Sequence, residues 1–573
     1  MNIGLLKENI MVSSGVKPAE LVLKNGMVVN VFTNRVETCD VAINNGYIVG
    51  LGKYSGTTEV DVSGKYICPG LIDGHIHLES SMISPKEFEK AVLPHGTTAV
   101  VTDPHEIANV CGLDGIEYIL QSTEQLTLDC FVMLPSCVPA TSLDESGAHL
   151  TAEDLAPYFA SKRVLGLAEM MNSYGTVTAE DAVISKLCAA HTCNKPIDGH
   201  APFLSGTGLN AYVTAGVRSD HECSCIEEAM EKLSRGQYIM IREGTAAQNL
   251  RALIPLFQEP YCNRSMLVTD DKHPGDLVES GHIDYIIRKA VSLGADPLLA
   301  VKMATLVPAQ YFGLENTGAV APGYTADIIV VSDLKNFRVE QVYKDGKLVS
   351  KDGANTSDNS VSMDKSKFPK VYESFALQEL TANDFLIKET GAYQRVISLV
   401  AHELLTNELI VPYAGGVSLE QDIIKLAVFE RHHNTGHSGL GFLHGYGLQK
   451  GAVASSVAHD SHNLIIAGTN DTDMALAGNV IRKNCGGLAF VADGQIICQL
   501  PLPIAGLMSD QSAEVVQRTL DEMKSTLEAY GVSPEIDAFM TLAFVSLPVI
   551  PKLRLNTYGL VDVDKQQIVP AVF

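Results

Sequence analysis

Apolar and polar positions alternate along residues 18–66 of the chain. Successive side chains of a strand point to opposite faces, so a period of two predicts strands with one buried face. Asn25-Gly26 and Asn45-Gly46 interrupt the alternation, and Asn-Gly between two such runs is typical of a β-hairpin. We therefore predict that 21–23 pairs with 28–29, and that 41–43 pairs with 47–49.

The same alternation returns in the middle of the chain, at 326–331 and around the Asp345-Gly346 turn. Two β-rich segments on either side of a long central segment can share one hydrophobic core. We predict a small β-sandwich domain assembled from residues 1–66 and 313–353.

Apolar runs and helical periodicity alternate through the central segment, residues 67–312. Eight βα units over about 240 residues favour a (β/α)8 TIM-like barrel of the α/β class, with its functional site at the carboxyl ends of the strands. A doubly wound open sheet is the alternative. The predicted strands are 67–77, 98–103, 130–134, 164–169, 197–200, 217–221, 238–242 and 266–270, and the predicted helices include 113–121, 179–191, 226–234 and 277–292.

The remainder of the chain does not continue the alternation of strands and helices seen in the central segment. Residues 354–367 are polar and are predicted to form a linker, and 368–573 are predicted to form an α+β domain. Within it, His459, Asp460 and His462 stand close together. Two interpretations stay open: a loop that closes over the site, or a local hydrogen-bonded cluster of this domain.

Composition restricts the class of protein. With 46% apolar and 19% charged residues, the 573-residue chain is typical of a globular protein of several domains. Its net charge of −25, without a basic patch, argues against nucleic acid or an anionic membrane as partner. No apolar run reaches the ~18 residues of a membrane span. Twelve cysteines without a recognisable secretory signal indicate reduced thiols in a cytoplasmic protein, and we interpret Cys223 and Cys225 as ordinary thiols.

Metal-ligating residue types gather at the ends of the predicted barrel strands. His75 and His77 are two positions apart, so an extended strand directs both imidazoles to one face. Further imidazoles and carboxylates end strands four, five, six and eight, at the one rim where barrel function lies. The predicted ligands are His75, His77, Glu169, His200, His221 and Asp270.

This set is larger than one catalytic zinc needs, because such a site takes three protein ligands and a water. We predict two divalent ions bridged by a carboxylate. With no cysteine at a strand end, Mn or Fe(II) is favoured and Zn also fits. Asp271 is an alternative to Asp270, because neighbouring strand positions face opposite ways.

The residues that carry this pattern resemble the amidohydrolase superfamily. The resemblance rests on PGLIDGHIH at 69–77 together with His200, His221 and Asp270, and it covers about residues 20–350. Many binuclear members bridge their metals with a carbamylated lysine on strand four. This chain has Glu169 there, which makes hydantoinases and dihydroorotases a poorer match.

The chain more closely resembles the bacterial adenine deaminase family within that superfamily, over nearly its whole length. This resemblance implies hydrolysis of adenine to hypoxanthine and ammonia in purine salvage, and a homodimer is expected. The stretches that carry it are HLESSM at 77–82, TDPHEIANV at 102–110, DGHAP at 198–202, SDHE at 219–222, IREG at 241–244, TDDKHP at 269–274 and AHDSHN at 458–463.

The resemblance also suggests roles for individual residues. Asp270 would move a proton from the attacking water to the departing amine, and Glu106 would contact the purine nitrogen N1. His105, beside Glu106, is the third predicted catalytic residue. A carboxylate at a helix start is the alternative for Glu106. Asp103, Arg242 and Glu243 are predicted to bind substrate, although a buried ion pair explains Arg242 and Glu243 nearly as well. The rival functions are another amidohydrolase reaction, such as cyclic-amide hydrolysis, and an inactive metal-binding protein.

Overall fold

The computed structural model describes residues 3–141, 143–245, 247–356, 363–401, 403 and 405–573. Most of the polar part of the predicted linker, 357–360, lies outside the described residues. Among the described residues, no helix has both the length and the apolar character needed to cross a membrane. All twelve cysteines are free thiols.

One nine-stranded sheet unites the two β-rich segments of the sequence. Ile328–Val331 runs antiparallel to Tyr66–Pro69, which joins the later strands to the earlier ones. This pairing agrees with the predicted β-sandwich from both sides of the central segment. The strands are Ala19–Asn30, Arg35–Asn44, Tyr47–Gly52, Gly56–Asp61, Tyr66–Pro69, Ile328–Val331, Val339–Lys344, Lys347–Lys351 and Ala354–Asn355.

One of the two predicted N-terminal hairpins is wrong. The turn at Asn45-Gly46 exists, since Asn44 pairs with Tyr47. Asn25-Gly26, however, lies inside the continuous strand Ala19–Asn30, where the register to the next strand shifts between Leu23 and Gly26. Asn25 has φ of 60°, so the Asn-Gly pair forms a β-bulge there and not a chain reversal.

The central segment forms a closed ring of eight parallel strands. A five-stranded and a three-stranded sheet meet through the bridges Ile76 to Asp270 and Ile197 to Val217. The predicted (β/α)8 barrel is thereby confirmed. Its strands are Leu71–Ile76, Thr97–Thr102, Asp129–Leu134, Val164–Met170, Ile197–Gly199, Ser219–Asp220, Tyr238–Arg242 and Ser265–Val268.

Two predicted elements of the barrel are each divided in two. The strand predicted at 67–77 breaks at Gly70, where a Cβ would lie 2.3 Å from Thr98 Oγ1. Its first half belongs to the nine-stranded sheet and its second half to the barrel. The helix predicted at 277–292 breaks near Gly281, whose φ of 101° a helix does not accommodate.

Helices surround the barrel and begin where the sequence offers caps. Ser84 accepts a hydrogen bond from the Glu87 N–H, and Pro85 takes the first helical position. The helices up to residue 312 are Ile3–Ser13, Pro85–Val92, His105–Cys111, Leu113–Ser122, Ala152–Leu155, Ser173–Val177, Asp181–Thr192, Gly206–Thr214, Ile226–Ser234, Leu250–Leu253, Pro274–Glu279, Ile283–Ser292, Pro297–Met303 and Leu306–Phe312.

The C-terminal part is built on an eight-stranded mixed sheet with a small three-stranded sheet beside it. Its helices are Pro369–Tyr372, Asp471–Lys483, Ala513–Ala529 and Ala538–Val545. The strands are Tyr393–Leu399, Thr406–Pro412, Ile423–Phe429, Ser438–His444, Ala452–Ser455, Leu464–Gly468, Gly487–Ala492 and Gln495–Pro501, followed by Leu553–Asn556, Gly559–Asp562 and Gln567–Val569.

This α+β part packs directly on the barrel. One hydrophobic cluster joins Ile76 and Met82, at the end of the first barrel strand, to Val453, Ala458 and Phe539 of the C-terminal part. All five side chains are buried. The contact brings the loop after Ala452–Ser455 to the barrel rim. The exact domain boundaries stay our proposal.

Candidate metal centre and substrate pocket

The first and last barrel strands bring three predicted ligands together. The Asp270 N–H donates to the His75 carbonyl oxygen at 2.9 Å, so closure of the barrel also positions the Asp270 carboxylate. Its Oδ1 lies 3.4 Å from His75 Nε2 and 3.0 Å from His77 Nε2. All three side chains are buried.

Glu169, at the end of the fourth strand, is shared among the imidazoles. Its Oε1 lies 3.4 Å from His77 Nε2. Its Oε2 lies 2.8 Å from His200 Nδ1 and 3.2 Å from His221 Nε2. One carboxylate therefore lies between two groups of histidines, the position a bridging ligand would occupy.

The donor set fits a pair of divalent cations. His75 Nε2 is buried and makes no hydrogen bond within the described residues. His200 Nδ1 and His221 Nε2 lie 3.2 Å apart, so two nitrogen lone pairs converge where a proton can serve only one of them. His77 Nδ1 lies 3.0 Å from the Asp103 carbonyl oxygen, which fixes the tautomer and leaves Nε2 for a metal. Nitrogen and oxygen ligands without sulfur suit Mn, Fe(II) or Zn.

The pKa values of the two carboxylates agree with a cation site at this position. Burial would raise the pKa of Glu169, but His221 and His200 hold that pKa well below its usual range. Burial would likewise raise the pKa of Asp270, but Arg242 holds it well below its usual range. The carboxylates are therefore ionised and ready to bind cations.

Arg242 lies beside the centre, whereas Glu243 does not. Arg242 Nη1 lies 2.6 Å from Asp270 Oδ2 and 2.6 Å from Glu222 Oε1. The Glu243 carboxylate instead contacts Lys289. Adjacent positions at the end of a strand face opposite ways, so Arg242 and Glu243 cannot both reach the centre. The structure does not bring Glu243 to the site.

Sequence reasoning missed Glu222, which follows His221 directly. Its Oε1 lies 3.3 Å from His221 Nε2, and both its oxygens accept hydrogen bonds from Arg242. The only signal in the sequence was its place in the stretch SDHE at 219–222.

The residues that follow the second strand connect the proposed ligands to Glu106. His105 Nδ1 lies 3.0 Å from Asp103 Oδ2 and 3.4 Å from Glu169 Oε1. His105 Nε2 lies 3.2 Å from Glu106 Oε1. Glu106 lies in the first turn of the helix His105–Cys111, as the alternative interpretation held, yet its carboxylate is buried against the site.

The loop between Ala452–Ser455 and Leu464–Gly468 brings two more histidines to Glu106. His459 Nδ1 lies 2.8 Å from Glu106 Oε1, and His462 Nε2 contacts Glu106 Oε2. Local periodicity cannot reveal a contact between residues 353 positions apart. Of the two interpretations left open above, the geometry supports a loop that closes over the barrel rim.

A pocket lies between this loop and the rim. Its polar lining includes Glu79, Ser80, Glu106, Asp271 and His459, and apolar side chains complete it. Asp271 Oδ1 accepts a hydrogen bond from Ser80 Oγ at 2.5 Å. Asp271 thus faces the pocket while Asp270 faces the ligands, which favours Asp270 over Asp271 as the ligand.

Comparisons with known proteins match both parts of the chain. A model described as the amidohydrolase family matches residues 66–349, and one described as the adenine deaminase C-terminal domain matches residues 403–567. A protein named adenine deaminase 2 from Carboxydothermus hydrogenoformans is 48% identical over 570 residues, 99% of each chain. A protein named adenine deaminase from Desulfatibacillum aliphaticivorans is 46% identical over 552 residues, 96% of each chain.

Similarity to solved structures is more distant. A β-aspartyl dipeptidase from Fervidobacterium islandicum superposes with a TM-score of 0.46 and 18% identity. The match covers 60% of this chain and 100% of that chain.

Proposed function

This chain belongs to the adenine deaminase family, and we propose that it hydrolyses adenine to hypoxanthine and ammonia. The observation that carries the proposal is a relative of that name, 48% identical over 99% of each chain. The site geometry supports it independently, because four histidines from the ends of three barrel strands surround Glu169 and Asp270, which come from two further strands.

The reaction requires water to attack an aromatic carbon that bears a poor leaving group. We propose that His75, His77, Glu169, His200, His221 and Asp270 hold two divalent ions. Bound, such ions lower the pKa of a water from ~16 toward ~7 and so supply a strong nucleophile at neutral pH. Mn or Fe(II) are the proposed metals, and Zn also suits the ligands.

Asp270 is the proposed proton carrier. It would accept the proton of the attacking water and deliver it to the departing amine. Arg242 holds the carboxylate by a 2.6 Å contact and, despite burial, keeps its pKa low enough for it to start ionised. General acid–base assistance of this kind contributes ~10²–10⁴-fold to the rate.

The substrate would bind between the rim and the loop that carries His459, where the pocket of about 10 Å³ must widen to admit a purine. The apolar side chains Met82, Val457 and Met540 offer surfaces for a flat purine ring. We propose that Asp103 and His105 assist substrate binding and catalysis from the second strand. Arg242 is proposed to act through Asp270 and Glu222. Glu243, which pairs with Lys289, is not assigned to the substrate.

We keep two further expectations as proposals, a homodimer and a cytoplasmic location. The dimer is tested by the mass of the protein in solution. Neither expectation enters the chemistry above.

Ammonia release tests the proposed function. The protein is stripped with a chelator and reloaded with Mn. It is then assayed for ammonia from adenine, cytosine and guanine and for ring opening of dihydroorotate and hydantoin, with metal counted in each sample. Selective release from adenine that returns with about two metals per chain supports the proposal. Metal-loaded protein that releases no ammonia from adenine would overturn it.

A further inference from the structure

The imidazole of His459 has the surroundings of an acid–base group. One ring nitrogen, Nδ1, lies 2.8 Å from Glu106 Oε1. The ring itself lines the pocket next to the proposed metal centre, and Nε2 is the ring nitrogen that is not used in the Glu106 contact. A carboxylate on one nitrogen fixes the tautomer and leaves the other nitrogen to exchange protons with a ligand.

The ring is held in place from several sides. Phe544 stacks on it with centroids 4.4 Å apart and planes 10° from parallel. The His459 N–H donates to the Ala543 carbonyl oxygen at 2.8 Å, and Ser546 Oγ donates to the His459 carbonyl oxygen at 3.3 Å. A ring so restrained keeps one orientation toward the pocket, as a catalytic group requires.

The charges around Glu106 place a proton on His459. Burial would lower the pKa of His459, but the Glu106 carboxylate raises it to about 9. For His462, burial prevails and lowers the pKa to about 4. The other charged or titratable groups that face His459 are Asp271 and Asp460, with His105 on the far side of Glu106. At neutral pH, His459 is an acid and His462 is not.

Glu106 is poorly placed to protonate the purine directly. Its Oε1 is within 3.2 Å of both His105 and His459, and its Oε2 contacts His462. Burial would raise its pKa, but His459 and the other two histidines hold it well below the usual range. An ionised carboxylate enclosed by three imidazoles orients its neighbours and has no proton to give.

We propose that His459, supplied by the C-terminal domain, is a catalytic residue that donates a proton to the purine nitrogen N1, and that Glu106 is its positioning residue. This rests on the proposed function above. As the oxygen of water bonds to C6, electron density moves to N1, which takes the proton from His459 Nε2.

The protons of the step balance. N1 keeps the proton from His459 and becomes the N1–H of hypoxanthine. Asp270 gives the first proton of water to the amine as the C6–N bond breaks, which releases ammonia. The hydroxyl group on C6 then loses the second proton of water to become the carbonyl, and that proton, passed through solvent, restores the His459 imidazolium.

The test compares three variants of the metal-loaded, full-length protein: His459→Gln, Glu106→Gln and His95→Gln. His95 is the matched control, because its Nδ1 also lies near a carboxylate, 3.1 Å from Asp284 Oδ2. It precedes the strand Thr97–Thr102 and so lies at the opposite end of the barrel from the rim. Metal content, kcat and KM for adenine are measured for each.

We expect kcat of His459→Gln to fall ~10²–10⁴-fold, with about two metals retained and KM changed by less than about threefold. The kcat of Glu106→Gln should fall similarly. The kcat and KM of His95→Gln should match those of the unaltered protein. The kcat of the unaltered protein should decline as pH rises through about 9, since the acid loses its proton, and His459→Gln should lack that decline.

Three results would overturn the inference. They are a kcat of His459→Gln within about threefold of the unaltered protein, a loss of metal that accounts for the lost activity, or an unchanged alkaline decline. An unaltered protein that does not deaminate adenine would instead remove the proposed function itself, so the two failures are distinguishable.

Discussion

Two histidine–carboxylate clusters lie side by side at the barrel rim, and they differ in how their carboxylates are used. The rim cluster consists of His75, His77, Glu169, His200, His221 and Asp270. The clamp cluster consists of Glu106, His459 and His462. In the rim cluster, Glu169 Oε2 is shared by His200 and His221, whose facing nitrogens lie 3.2 Å apart. In the clamp cluster, each Glu106 oxygen has its own histidine from the loop.

The difference indicates different tasks for the same residue types. In the rim cluster two imidazole nitrogens face each other beside one carboxylate oxygen, an arrangement that a cation would satisfy. In the clamp cluster the two loop histidines contact different Glu106 oxygens, so one proton can satisfy each contact. The convergence of two imidazole nitrogens on each other, and not the residue types, therefore separates a proposed metal centre from a proposed acid–base pair.

The largest expected effect follows from Glu169→Gln. The amide cannot serve as an anionic bridge, so we expect loss of bound metal and a decrease in kcat of roughly 10³-fold or more. Glu89→Gln is the control, because Glu89 is also buried but accepts from the Leu128 N–H at 2.8 Å, away from the centre. Full metal content in Glu169→Gln would contradict the bridging role.

A smaller effect is expected from Arg242→Lys. Lysine has no counterpart to Nη2, which donates to Glu222 Oε2, so the bidentate contact that fixes the cation beside Asp270 is lost. We expect kcat/KM for adenine to fall about 10–100-fold with metal retained. The exposed Arg235→Lys serves as the control. An unaltered kcat/KM in Arg242→Lys would show that Asp270 does not depend on this contact.

Glu243→Gln should change stability and leave the chemistry intact. The substitution removes the carboxylate partner of Lys289, whose side chain is 25% exposed. We expect the free energy of unfolding, measured by urea denaturation, to fall by about 1–2 kcal/mol. We expect kcat/KM to stay within about threefold of that of the unaltered protein. A large loss of kcat/KM with unchanged stability would restore Glu243 to the substrate site.

The smallest effect concerns Asp144, a buried carboxylate without an imidazole partner in the part of the chain that the structure describes. Burial, with Asp460 nearby, raises the pKa of Asp144 to about 7. The folded protein therefore binds this proton more tightly than the unfolded chain, and stability is lost as pH rises from about 4 to 7. Asp144→Asn should stabilise the fold at about pH 8 by on the order of 1 kcal/mol and much less at about pH 4. Equal urea midpoints at about pH 8 would contradict this.

The sequence predicted the barrel and the rim cluster because both follow from short-range pattern. A period of two places His75 and His77 on one face, and parallel strands bring their ends to one rim. The errors arose where tertiary contacts decide. The Asn25-Gly26 bulge depends on a neighbouring strand. Gly70, where Thr98 leaves no space for a side chain, is the point at which the chain passes from one sheet to another.

The clamp cluster was beyond prediction for a different reason. Its histidines were visible in the sequence, but their carboxylate is 353 and 356 positions away, and no local periodicity links the two. Glu222 and Glu243 show the same limit at short range. Which side of a strand end a residue faces depends on register, and a shift of one position reverses it.

The most direct test of the difference between the clusters is the position of bound metal. Crystals of the Mn-loaded protein, measured for anomalous scattering, would locate each ion. We predict two ions among the nitrogens and oxygens of the rim cluster and none between Glu106, His459 and His462. An ion at the clamp cluster, or a rim cluster that stays empty in Mn-loaded protein, would contradict the account.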